Sequence, residues 1–169
     1  MKSRIAAIGA VALVAVSTTA GAATTGSNFN VTATVAKNCL VTSGDIIFGT
    51  YTPTTGALTG SSIVAVRCTA GTGFTVALSA GQEASYAPRK LKDGANNKLE
   101  YNLYTTNGYA TVWGDATGGT ATQAGSGAGM GAGQAQNLTV YAQLPDNAAN
   151  QLAPPSATYT DNIIVTVTY

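Results

Sequence analysis

The sequence predicts an all-β fold, an antiparallel β-sandwich, on three observations. Beyond the first two dozen residues the apolar positions recur with a period of two, the alternation of a half-buried strand. These runs carry β-branched or aromatic residues and are bounded by Gly, Pro, Asn or Ser. No window beyond the start of the chain has the period of an amphipathic helix. The 169 residues fit one domain with room for a real core. Charged residues are 9% and apolar ones 45%, so the charge that keeps a disordered chain solvated is missing.

Each element can be justified in turn. Met1-Lys2-Ser3-Arg4 is a short basic start, residues 5–16 are an apolar run, and Ala20-Gly21-Ala22 supplies the small residues of a cleavage site. A membrane-spanning helix needs about 20 apolar residues, so this run is too short. Residues 1–22 read as a secretory signal peptide, cut before Ala23. Next, Phe29, Val31, Ala33 and Val35 alternate with Asn28, Asn30, Thr32 and Thr34. Val64, Val66 and Cys68 alternate with Ile63, Ala65 and Arg67, and Phe74, Val76 and Leu78 with Thr75 and Ala77. Leu99, Tyr101 and Leu103 form a further run, as do Leu138, Val140, Ala142 and Leu144. Ile163, Val165 and Val167 should face the core, with Asn162, Ile164, Thr166 and Thr168 opposite.

Connections can be placed as well. Asn107-Gly108, between 99–105 and 109–113, is a strong hairpin signal. Residues 86–97 hold Pro88, Gly94 and a group of bases, and read as a solvated connection. Glycine-rich residues 114–133 read as a flexible surface loop. Cys39 and Cys68 are the only cysteines, and in an oxidising compartment they most simply form one disulfide. Their Cα atoms should then lie about 4.4–6.8 Å apart.

Chemistry is excluded class by class. With no His and two Cys, His-dependent triads and cysteine zinc cages have no ligands or bases. A net charge of +1 supplies no footprint for nucleic acid. The glycines match neither G-x-G-x-x-G nor a phosphate loop, and the seven carboxylates share no motif. No enzymatic activity, cofactor or metal is expected. Tyr104, Tyr109 and Trp113 could form an aromatic surface for a sugar, although such residues in a sandwich more often pack as core or cross-strand pairs.

Four motifs in order carry a family resemblance: Leu99-Glu100-Tyr101-Asn102-Leu103-Tyr104, Thr111-Val112-Trp113-Gly114-Asp115, Tyr141-Ala142-Gln143-Leu144-Pro145, and Tyr159-Thr160-Asp161 leading into Val165-Thr166-Val167-Thr168-Tyr169. With the early cysteine pair, they make the chain resemble the spore coat protein U family, the subunits of archaic chaperone–usher pili. Ala142 departs from the family, which more often has Gly there. The resemblance implies an incomplete immunoglobulin-like sandwich lacking its last strand, completed by donor-strand exchange. It divides the chain into signal peptide (1–22), donor segment (23–37) and pilin-type domain (38–169). Phe29, Val31, Ala33 and Val35 would be the donor residues, and Ile163, Val165, Val167 and Tyr169 would lie on the strand bordering the acceptor groove. Implied partners are a periplasmic chaperone, an outer-membrane usher, and identical or related subunits in a polymer. The implied role is a surface pilus for adhesion and biofilm formation, reached through the periplasm. Alternatives are a spore or cyst coat protein of the same family and a secreted carbohydrate-binding module.

Overall fold

The computed structural model describes residues 20–169; most of the expected signal peptide, residues 1–19, lies outside them. The chain divides into two units, Met1–Thr34 and Val35–Tyr169. In the first, residues 20–34 carry no secondary structure, and Phe29 and Val31 are exposed. Their alternation is a strand pattern without a strand. Fixing an extended backbone costs entropy that only ladder bonds to a partner offset.

The second unit contains eight strands: β1 (Cys39–Ser43), β2 (Leu58–Cys68), β3 (Gly73–Leu78), β4 (Arg89–Lys92), β5 (Lys98–Tyr104), β6 (Gln123–Ser126), β7 (Gln136–Leu144) and β8 (Val165–Thr168). One short helix, α1 (Ala148–Gln151), follows β7. Every strand pairing is antiparallel. Five strands form one sheet in the order β1-β2-β7-β5-β4, and three form the other in the order β6-β3-β8.

Alternation decides which side chains meet between the sheets. Val64, Val66 and Cys68 of β2 are buried with Val140, Ala142 and Leu144 of β7 and Leu99, Tyr101 and Leu103 of β5. Phe74, Val76 and Leu78 of β3 bury the opposing face. Along residues 163–168, leading into and through β8, Ile164, Thr166 and Thr168 are exposed, while Ile163, Val165 and Val167 pack against this core. Cys39 stands opposite Cys68 and is bonded to it, with Cα atoms 4.1 Å apart. This is slightly closer than expected. Thr69 N donates to Asn38 O and Gly44 N to Ile63 O, so the hydrogen-bonded pairs alternate with the one the cysteines occupy. Pairs of that second kind sit about 4.5 Å apart.

Two expected connections are structured. Residues 86–97 are not a solvated link, because β4 lies within them and Arg89 is fully buried. Its guanidinium donates to Ser79 O, Trp113 O and Asn102 Oδ1, and the Tyr86 ring lies 4.8 Å away. Lys90 and Lys92 face outward to Glu100 and Glu83. Glycine-rich 114–133 contains β6, paired with β3. Its glycines admit close packing: a Cβ on Gly125 would strike the Phe74 ring, and one on Gly127 the backbone at Cys68 and Thr69. The Asn107-Gly108 hairpin forms, with Thr105 N bonded to Thr111 O and Trp113 N to Leu103 O. Tyr109, not Gly108, takes the left-handed conformation, and the returning limb makes isolated bridges instead of a strand.

Candidate functional site

The two sheets leave the core open on one side. β1 is an edge of the larger sheet and β8 an edge of the smaller. Beyond β1 the chain runs without secondary structure through residues 44–57. A groove of about 980 Å³ lies among residues 43–51, residues 153–163, Val165 and the core. Its floor is apolar: Val64, Leu78, Leu99, Leu103, Val140 and Leu144 all line it. The groove reaches down to the hydrophobic core, whose side chains on its floor remain buried, and a concave apolar groove is the form an interaction site takes.

A carboxylate gathers hydrogen bonds at each rim. Asp146, just after β7, accepts hydrogen bonds from Tyr51 Oη (2.6 Å), Gly56 N (2.9 Å), Thr54 N (3.3 Å) and Gln151 Nε2 (3.0 Å). These donors, Tyr51 first, lower its carboxyl to about 2. Burial, aided by Asp146, raises the Tyr51 phenol to about 12. Asp161 holds the opposite rim, accepting from Tyr101 Oη (2.7 Å), Gln82 N (2.8 Å) and Asn162 N (2.8 Å). Burial, reinforced by Asp161, pushes the Tyr101 phenol far above its ordinary value, against the pull of Arg89. The two carboxylates therefore help fix where the rims stand, joined on the second rim by the backbone pair of Lys92 and Thr160.

Ile163 and Val165 line the groove. Val167 packs half-buried against the core without lining it, and Tyr169 is exposed. Phe29, Val31, Ala33 and Val35 are all exposed. Trp113 is fully buried with its Nε1 donating to Val76 O at 3.0 Å, so the sugar platform loses its central ring. Tyr104 and Tyr109 stack edge to face instead, 5.4 Å apart. Asp146, Tyr51 and the segment around Phe48 were not singled out by sequence. The Ile46-Ile47-Phe48 run was the available signal, but three consecutive apolar residues show no period.

The spore coat protein U domain model matches residues 25–166. Protein U of Myxococcus xanthus is 30% identical over an alignment that takes in all of this chain and 98% of that protein. Among solved structures, the fold matches a chain of the chaperone–tip adhesion subunit pre-assembly complex from the archaic chaperone–usher Csu pili of Acinetobacter baumannii, with a TM-score of 0.56 and 22% identity. That match covers 80% of this chain and 41% of the other, so it speaks for the immunoglobulin-like fold alone. With the family match running through most of the sandwich and the near full-length relative beside it, the chain belongs to the spore coat protein U family.

Proposed function

We propose that the protein is a structural subunit of a surface pilus assembled by the chaperone–usher route, supporting adhesion and biofilm formation. The observation that carries this reading is the groove, which is floored by core side chains and lies beside the open edge of β8. An open edge and a groove floored by the core together call for an added strand, which supplies ladder bonds and apolar side chains at once. A periplasmic chaperone fills the groove first, after export directed by residues 1–22. Residues 23–37 of another subunit then replace it at the outer-membrane usher.

Residues 23–37 suit that role chemically. Phe29, Val31, Ala33 and Val35 share one face of an extended chain, and Asn28, Asn30, Thr32 and Thr34 the other. Burying one Phe and two Val yields roughly 5–8 kcal/mol gross, against the entropy of ordering the segment. A slip of one residue would turn the polar face inward, so register is well specified. A coat layer built by the same strand exchange is the second reading, favoured by the family's description and by the relative from Myxococcus xanthus.

The test is the double substitution Phe29→Asp with Val31→Asp. Folding and chaperone binding should survive while polymer ladders on gels disappear. Normal polymers in the presence of both charges would place the donor segment elsewhere. Imaging the assembled material on cells separates a pilus from a coat layer.

A further inference from the structure

We infer that residues 45–50 are a built-in plug: Ile46 and Phe48 occupy part of the groove in the uncomplemented subunit and give way to the incoming strand. The inference rests on the donor-strand reading and adds a regulatory step to it. Side-chain direction is the first ground. Ile46 and Phe48 are half-buried against the core, whereas Ile47 between them is 84% exposed. Phe48 packs edge-on against Tyr101, with ring centroids 6.1 Å apart. Ile46 lies over Gly60 of β2, where a Cβ would come within 3.0 Å of its Cγ2.

The second ground is how the segment is held. Among the described residues, no backbone–backbone hydrogen bond involves residues 45–50. Its ends are tied instead, by Gly44 N to Ile63 O at 3.2 Å and by Tyr51 Oη to Asp146 at 2.6 Å. Gly49, at φ +80, sits near the second tie in a conformation that most other residues avoid. A stretch anchored at both ends and held between them by two half-buried side chains can be exchanged for other apolar side chains. The groove then trades one set of apolar contacts for a larger set plus ladder bonds. Until that happens the plug covers part of the core, and its withdrawal limits how fast a strand can enter.

The experiment measures uptake of a fluorescent peptide of residues 23–37. The acceptor is the exported chain carrying Phe29→Asp and Val31→Asp, which keeps its own tails out of neighbouring grooves. Adding Phe48→Ala should speed uptake about tenfold, the rate equivalent of losing part of a buried aromatic's contacts. Ile47→Ala, on the same segment but facing outward, should leave the rate unchanged. Tyr51→Phe frees one anchor without removing buried carbon, and should also speed uptake if Phe48→Ala does not fold. Rates for Phe48→Ala or, failing that, Tyr51→Phe that equal or fall below the parent rate would make the segment a fixed wall and overturn the plug. Uptake by none of the variants, the parent included, would overturn the donor-strand reading itself, and the plug with it.

Discussion

Arg89 ties several parts of the interior together. It is a fully buried cation whose partners are two carbonyls and an amide oxygen, with no carboxylate among them. Burial pulls its guanidinium below its ordinary value, and the nearby tyrosines and Asp161 and Asp115 oppose that pull. Arg89→Met removes the charge but strands Ser79 O and Trp113 O without donors and leaves Asn102 Oδ1 with Leu103 N alone. The expected loss is about 3–5 kcal/mol, seen as a fall in Tm of about 10 °C or more by calorimetry. Asp146 makes a different prediction, one of pH. Its folded value of about 2 lies below the roughly 3.9 of an unfolded Asp. Between those values the unfolded chain binds more protons, so the contribution is complete above about pH 4 and is lost as pH falls through about 2. Asp146→Asn should flatten the stability profile across that window, and Tyr51→Phe should raise the carboxyl's titration point by NMR.

Among the elements, β2, β3, β5 and β7 could be read directly from alternation, because each is buried on one face and bounded by turn residues. β4 and β6 could not. The bases of β4 imitate a solvated loop, since the alternation of Arg89 and Leu91 with Lys90 and Lys92 is visible only once a buried Arg is allowed. β6 carries Gly125 where a core side chain would be expected, because Phe74 already fills that space. The inward face of β8 followed from period two. The groove's other rim did not, since residues 45–50 take their direction from packing on β2 and β5 and not from a repeat. The carboxylates that hold the rims were equally hidden, because their donors lie far away in sequence. For β6 the prediction is steric: Gly125→Ala should cost about 1–3 kcal/mol by overpacking against Phe74. Hydrogen exchange should locate the loss at the β3–β6 pairs.

At the scale of the whole molecule, the cystine is the one covalent tie across the larger sheet. It closes a sequence separation of 29 residues, worth about 3–4 kcal/mol in the chain-entropy model. Cys39→Ser should lower both denaturant midpoint and the yield of folded protein; unchanged values would mean that packing alone holds the domain. Its placement has a mechanical consequence. Cys39 and Cys68 are the first register pair of β1 on β2, directly after the exposed N-terminal segment. A load pulling on that segment would otherwise unzip β1 from β2 one pair at a time, beginning there. With the first pair covalent, tension bypasses the edge strand and enters β2, which β7 grips along nine register pairs from Leu58↔Leu144 to Val66↔Gln136. Tension on the N-terminal segment would therefore be carried through the middle of the larger sheet and not along its edge.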